Sequence, residues 1–115
     1  MSRSKSTFAV AGLAVGLLMT SALAPVASSA FAGDTDPLFI NLTSDDGHRI
    51  NMALGFGGKQ HKLRHKLTVF LNDRAVLAAS KANNERFSGQ KATIAGLLAD
   101  GATIIVCPMC MNHSG

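Results

Sequence analysis

The sequence predicts an α/β fold built on a parallel sheet. Three short apolar runs, Leu38–Leu42, Leu67–Leu71 and Thr103–Val106, have the length and composition of buried strands. Residues with helical spacing lie between each run and the next. Strands that alternate with helices form parallel sheets with right-handed crossovers. We therefore expect a doubly wound sheet of order 2-1-3, in which reactive groups collect at the carboxyl ends of strands 1 and 3.

The first strand and helix are predicted from the residues that follow Pro37. The run Leu38–Leu42 leads into turn and N-cap residues at positions 43–47. Apolar side chains then recur at helical spacing from Ile50 to Gly57. The sequence therefore predicts a helix that packs one face on the sheet.

The second half of the chain repeats this pattern. Leu67–Leu71 is a strand that ends in turn residues at positions 72–74. Ser88 can cap a second helix, and Gly101 suits the left-handed residue that ends it. The third strand, Thr103–Val106, follows directly.

The N-terminal segment has the pattern of an export signal. Arg3 and Lys5 precede an almost wholly apolar stretch at residues 8–23, and Ala30-Phe31-Ala32 is a small-x-small cleavage pattern. We therefore predict a signal peptide at residues 1–32.

The predicted mature domain, residues 33–115, would act in the periplasm or another exported location, where paired cysteines are usually oxidised. An uncleaved anchor is the alternative, because residues 7–32 carry no charge and a bilayer needs roughly 20 apolar residues. The formal net charge of +4 includes Arg3 and Lys5, and the remainder is too weakly basic to indicate nucleic acid binding. Apart from export, no contact with a membrane is expected.

The two cysteines carry the predicted chemistry. The sequence Cys107-Pro108-Met109-Cys110 follows the third strand. Pro108 suits the first turn of a helix, so Cys107 would be its capping residue. The helix dipole would stabilise a Cys107 thiolate and lower its pKa. Cys107 is therefore the candidate catalytic nucleophile, Cys110 the second thiol and Pro108 a supporting residue.

The predicted strand order adds a second loop to this site. In a sheet of order 2-1-3, the residues after strand 1 lie beside those after strand 3. Ser44 and Asp45 would then support Cys107.

Three interpretations of the cysteine pair are open at this point. The pair could perform sulfur or redox chemistry, it could be inert, or Cys107, Cys110 and His113 could bind a soft metal such as copper or zinc. A closed zinc site needs four protein ligands, and the chain has no second cysteine pair. We predict no cofactor for the first interpretation.

Three segments resemble the DsrE/DsrF-like family of small sulfur-handling proteins. They are the opening strand with its Ser-Asp-Asp turn at residues 38–46, residues 69–77, and the segment 97–110 that ends in Cys-Pro-Met-Cys. The resemblance implies a flavodoxin-like, three-layer sheet and homo-oligomers, either trimers or hexamers. It also implies that a cysteine at the position of Cys107 accepts sulfur as a persulfide.

The resemblance also sets expectations about length and activity. Family members continue past the position of Gly115, so we expect a C-terminal truncation or an oligomer that covers the sheet edges. The expected function is persulfide transfer or thiol–disulfide exchange through Cys107 and Cys110. The protein would be sulfurtransferase-like or a thiol redox carrier, and it would act with a sulfur-donor or redox partner that the sequence does not identify.

Overall fold

The computed structural model describes residues 31–114 as three strands with helices between and after them. The elements in chain order are β1 (Leu38–Leu42), α1 (Gly47–Lys62), β2 (Leu67–Leu71), a 3₁₀ segment (Asp73–Ala78), a short 3₁₀ turn (Lys81–Asn83), α2 (Ser88–Ala99), β3 (Thr103–Val106) and α3 (Pro108–Ser114). Apart from Phe31 and Ala32, the predicted signal peptide lies outside the described residues. Within residues 31–114, no helix is both long and apolar enough to cross a membrane.

The predicted α/β class with an all-parallel sheet is confirmed. β1 pairs with β2 and β2 pairs with β3, both in parallel. The bounds of the three strands coincide with the three apolar runs in the sequence. Local composition therefore located the strands correctly.

The predicted strand order of 2-1-3 is wrong, because the sheet has the order β1-β2-β3. The reason is that α1 and α2 pack against each other on one face of the sheet. A Cβ atom at Gly58 of α1 would lie 3.2 Å from a methyl group of Leu97 on α2. Right-handed crossovers whose helices share a face move the chain across the sheet in one direction. An order of 2-1-3 would require α2 on the opposite face.

The helices cover one face of the sheet with apolar side chains. Leu67, Val69 and Leu71 of β2 are at most 2% exposed. Helix α1 approaches closely at Gly57, where a Cβ atom would lie 2.8 Å from Ile40 and 3.0 Å from Leu67. The close approach explains why a glycine is accepted within this helix, despite a cost of about 1 kcal/mol relative to alanine.

Residues 31–114 leave the other face of the sheet uncovered. It carries Phe39, Phe70 and Ile105, and the rings of the two phenylalanines lie 6.4 Å apart. Phe39 is 59% exposed and Ile105 is 44% exposed. Residues 31–114 thus supply two layers, the sheet and one layer of helices, of the three layers expected from the resemblance.

The two ends of α2 differ in how well the sequence predicted them. Gly101 has a φ of 91° after the helix, as predicted for its left-handed residue. Ser88 does not cap the helix, because it is the first helical residue and Phe87 occupies the cap position. Phe87 is only 1% exposed, so burial of its ring fixes the start of α2.

Candidate functional site

Cys107 lies at the end of β3, where the sheet fastens its backbone. Its N–H donates a hydrogen bond of 2.9 Å to the carbonyl of Leu71, the last residue of β2. Helix α3 then begins at Pro108, as predicted. The side chain of Cys107 is therefore held at the junction of a strand and a helix.

The sulfur of Cys107 caps the first turn of α3. Its Sγ accepts the N–H of Cys110 at 3.3 Å, and its carbonyl accepts the N–H of Met111 at 3.0 Å. A thiolate accepts hydrogen bonds better than a thiol does, so this arrangement favours the ionised form of Cys107.

The two thiols form an asymmetric pair. The Sγ atoms of Cys107 and Cys110 are 2.6 Å apart, which is closer than van der Waals contact between two sulfur atoms. While both groups are thiols, Cys110 is the donor and Cys107 the acceptor. This hydrogen bond lowers the pKa of Cys107, and the backbone N–H groups of Cys110 and Met109 lower it further. The same bond raises the pKa of Cys110, because the proton that Cys110 donates is harder to remove. Cys107 is consequently the thiol of the pair that ionises more readily, and Cys110 keeps its proton longer.

The pair is also accessible. Both cysteines are half-buried, and both are free thiols. Met109, which lies between them in the sequence, is 80% exposed. The cysteine pair therefore lies in a part of the surface that is partly open to solvent.

Asp73 completes the site, although the sequence indicated only a turn at this position. Its backbone N–H donates to Cys110 Sγ at 3.2 Å. Asp73 has a φ of 48°, which is unusual for a residue other than glycine, although aspartate tolerates it better than most. The sequence did indicate a turn after β2. This turn could be connected with the cysteines only once β2 and β3 were known to be neighbours.

The predicted supporting residues Ser44 and Asp45 do not lie beside Cys107. They follow β1, and β2 stands between β1 and β3. The carboxyl ends of β1 and β3 are therefore two strand spacings apart, a distance of roughly 10 Å. Ser44 instead accepts the N–H of Asp46 at 3.1 Å within its own turn. The predicted site shared by the loops after β1 and β3 is therefore wrong, because it depended on the incorrect strand order.

Asp45 is bound by two arginines. Arg74 donates to both carboxylate oxygens, from Nε at 3.1 Å and from Nη2 at 2.8 Å. Arg86 donates to the same carboxylate at 3.0 Å. These hydrogen bonds, with Arg74 as the largest contributor, hold the pKa of Asp45 well below its usual range. Asp45 is therefore a fixed anion that fastens its loop to the residues after β2.

His113 does not join the cysteines in a metal site. It lies in the last turn of α3, three residues after Cys110. Among residues 31–114, no three His, Cys, Asp or Glu side chains are arranged to hold a metal ion. The structure thus brings Cys107, Cys110 and Asp73 together and leaves His113 apart.

Comparisons with known proteins identify no relative of this chain. No family model matches the sequence, and neither the curated proteins nor the solved structures searched contain a match. The geometry of the thiol pair therefore carries the functional argument.

Proposed function

We propose that this protein accepts sulfane sulfur on Cys107 as a persulfide and uses Cys110 as its second thiol. The observation that carries the proposal is the asymmetry of the pair, in which Cys107 Sγ receives both the thiol proton and the backbone N–H of Cys110. Such donors favour the thiolate, which is the nucleophilic form of cysteine.

The first step is attack of the Cys107 thiolate on the outer sulfur of a donor, R–S–SH. A new sulfur–sulfur bond forms on Cys107, the bond within the donor breaks, and the donor leaves as the thiolate RS⁻. No net oxidation occurs, because the sulfane sulfur moves from one thiolate to another. The product, Cys107–S–SH, can then give its outer sulfur to an acceptor thiolate by the same reaction.

Cys110 provides a second outcome. Its thiolate can attack Cys107 Sγ in the persulfide, which forms a Cys107–Cys110 disulfide and releases hydrosulfide. The two cysteines then supply the two electrons that reduce the sulfane sulfur, and an external thiol must reduce the disulfide before another cycle. Thiol–disulfide exchange is therefore part of the same proposal, and no cofactor is needed for either outcome.

The wider setting is proposed on sequence grounds. The residues of the N-terminal segment favour export, and residues 38–46, 69–77 and 97–110 resemble the DsrE/DsrF-like family. The proposal also includes a homo-oligomer, a trimer or hexamer. The open sheet face with Phe39 and Ile105 supports assembly, because parallel sheets normally bury both faces.

The test is sulfur loading followed by mass spectrometry. Reduced full-length protein is treated with glutathione persulfide under nitrogen, and added sulfur is located by intact and peptide mass measurement. We expect one added sulfur on Cys107 in the wild type and a loss of loading in Cys107→Ser. The matched variant Cys110→Ser should still load, and its persulfide should persist longer because the second thiol is absent.

Two outcomes would contradict the proposal. The first is Cys107→Ser taking up as much sulfur as the wild type does. The second is stoichiometric copper or zinc in protein purified without chelator or reductant, if that metal is lost in Cys110→Ala and the metal-free protein takes up no sulfur. That result would favour the soft-metal site instead.

A further inference from the structure

Sulfur on Cys107 changes what surrounds Cys110. In the unloaded pair the thiol of Cys110 donates to Cys107 Sγ, and this bond is the main reason that the pKa of Cys110 is raised. Once Cys107 Sγ is bonded to a second sulfur, it is a neutral divalent sulfur and a weaker acceptor than a thiolate. Loading therefore weakens the contact that does most to keep the proton on Cys110.

A second contact of Cys110 does not involve Cys107. The backbone N–H of Asp73 donates to Cys110 Sγ at 3.2 Å. A hydrogen bond donated to sulfur favours the thiolate over the thiol. This donor follows β2, whereas sulfur is added at the end of β3, so it remains available to Cys110 when Cys107 is loaded.

The backbone of the turn after β2 directs this N–H at Cys110. Asn72 is extended, with a φ of −137° and a ψ of 175°, and its own N–H donates to the carbonyl of Leu42 at 3.0 Å. Asp73 then has a φ of 48°, in the left-handed region that aspartate, asparagine and glycine tolerate better than other residues. The donor is therefore placed by the strand and by a conformation that few residues accept.

Cys110 also lies beside the atom that it would attack. Its Sγ is 2.6 Å from Cys107 Sγ, and its N–H donates to the same sulfur at 3.3 Å. The first turn of α3 therefore keeps the two sulfur atoms together. Groups held in contact in this way react far faster than the same groups free in solution.

The titratable and charged groups around Cys110 come from three elements. Cys107 lies at the end of β3, and His113 follows one turn later on α3. The 3₁₀ segment contributes Arg74, whose guanidinium is held in the ion pair described above, and the exposed carboxylate of Asp73. That carboxylate disfavours ionisation of Cys110, but its effect on the pKa is smaller than the opposite effect of the Asp73 N–H.

We propose that sulfur loading on Cys107 allows Cys110, held by the N–H of Asp73, to act as a resolving thiolate, so that sulfide release is the main outcome. This inference rests on the proposed function and selects between its two outcomes. The Cys110 thiolate forms a bond to Cys107 Sγ, and the bond from Cys107 Sγ to the outer sulfur breaks.

The products of this step fix the next reaction. The outer sulfur takes the electron pair and leaves as hydrosulfide, so it is reduced by two electrons while the two cysteines are oxidised to a disulfide. The protein is then a persulfide reductase, and an external dithiol must reduce its disulfide before another cycle. Asp73 is a positioning residue in this scheme, because it acts through Cys110.

The first experiment measures the products. Reduced full-length protein is loaded with glutathione persulfide under nitrogen, the excess donor is removed, and sulfide is followed with an electrode while the disulfide is measured by mass spectrometry. We expect the wild type to release its sulfur as sulfide and to form the Cys107–Cys110 disulfide in equal amount. Cys110→Ser, compared at equal loading, should release sulfide at least about tenfold more slowly, because the internal nucleophile is absent.

The second experiment removes the N–H of Asp73 and nothing else. Full-length protein made by chemical ligation carries the α-hydroxy acid analogue of aspartate at position 73, which puts an ester oxygen in place of the N–H. In a Cys107→Ser background, the pH midpoint for alkylation of Cys110 by iodoacetamide should rise by about half to one unit. With both cysteines present, sulfide release should be roughly three- to tenfold slower than in the wild type.

Two matched variants separate this contact from a general loss of structure. The same ester replacement at Ala82, in the short 3₁₀ turn, should leave the Cys110 midpoint unchanged. Asp73→Val has a branched side chain that disfavours the left-handed backbone, so it should slow release, whereas Asp73→Asn tolerates that backbone and should release sulfide faster than Asp73→Val. Circular dichroism checks that each variant is folded.

The outcomes distinguish this inference from the proposed function. If the loaded wild type releases sulfide as slowly as Cys110→Ser does, sulfide release is not the main outcome, although persulfide formation stands. If the ester at position 73 changes neither the midpoint nor the release rate, the role of the Asp73 N–H is wrong. Failure of the wild type to take up sulfur on Cys107 overturns the proposed function and this inference together.

Discussion

Two loops at the carboxyl edge of the sheet are fastened to the same short segment by different chemistry. The loop after β1 is held by the ion pairs of Asp45 with Arg74 and Arg86. The turn after β3 is held by hydrogen bonds to sulfur, including the one from Asp73 to Cys110. Asp73 and Arg74 are adjacent in the sequence, so neighbouring residues serve the two loops.

The two loops differ in the charge of the groups that bind their acidic side chains. The carboxylate of Asp45 is neutralised by two guanidinium groups that occupy both of its oxygens. The sulfur of Cys107 is held by a thiol and by the backbone N–H groups of Cys110 and Met109, which carry no formal charge. Neutral donors stabilise a thiolate without cancelling its charge, so the loop without cations is the one suited to nucleophilic chemistry.

The largest predicted effect concerns the thiol donor of this pair. Cys110→Ala removes the hydrogen bond that does most to lower the pKa of Cys107. The pH midpoint for alkylation of Cys107 should therefore rise, and a rise of about one unit would mean tenfold less thiolate at a fixed pH below the midpoint. Iodoacetamide rates measured by mass spectrometry over a range of pH provide the check.

Asp45→Asn is the control for that measurement. If the two loops are chemically separate, this variant should leave the Cys107 midpoint where it is in the wild type. A shift as large as that of Cys110→Ala would show that the ion pairs also act on the thiol, and the comparison between the loops would no longer hold.

A smaller effect is expected in stability when the charge of Asp45 is removed. The pKa of Asp45 is lowered in the folded protein, so its contribution is fully present above its usual value of 3.8 and is lost as the pH falls toward the lower folded value. Asp45→Asn should therefore lower the urea midpoint at neutral pH. The difference in urea midpoint between Asp45→Asn and the wild type should become smaller in acid.

Urea unfolding followed by circular dichroism at neutral pH and in acid tests this sign. The matched charge control is Asp34→Asn, because Asp34 takes no part in the ion pairs of Asp45 with Arg74 and Arg86. It should change the urea midpoint less than Asp45→Asn does at neutral pH. If the difference in urea midpoint between Asp45→Asn and the wild type grows as the pH falls, the ion pairs are not the source of this stability.

The smallest predicted effects are in the turn that joins the first loop to α1. Asp46 caps the helix by accepting the N–H of Arg49 at 2.8 Å, and Asp46→Ala should cost about 1 kcal/mol. Ser44→Ala removes a single exposed hydrogen bond and should cost about 0.5 kcal/mol. Both are read from urea midpoints at neutral pH, and neither should change sulfur loading. Reduced loading by Ser44→Ala would restore the direct role that the sequence predicted for that residue.

The sequence was sufficient for features that depend on neighbouring residues. The three strands, the start of α3 at Pro108 and the left-handed Gly101 all follow from local composition. The strand order was not local, because it depends on which face of the sheet α2 covers. Composition did favour β1 as an edge strand, because it contains the exposed Asn41. It did not separate β2 from β3, since neither strand has an amide or charged side chain.

The candidate site was predicted in part for the same reason. Cys107, Pro108 and Cys110 belong to one continuous motif, so their relation could be inferred from the sequence. Asp73 reaches Cys110 across 37 positions through a backbone N–H, which every residue except proline has. Nothing in the identity of residue 73 reveals such a contact before β2 and β3 are known to be neighbours.

Asp73 contacts the turn after β3, whereas Arg74 contacts the loop after β1. This arrangement matters for protein engineering. Grafting the four residues Cys107 to Cys110 into another protein would transfer the motif without the N–H that binds Cys110. The transferable unit is two segments on adjacent parallel strands, β2 with its 3₁₀ segment and β3 with α3. A deletion within residues 72–74 would shift the residues that follow out of register with both loops.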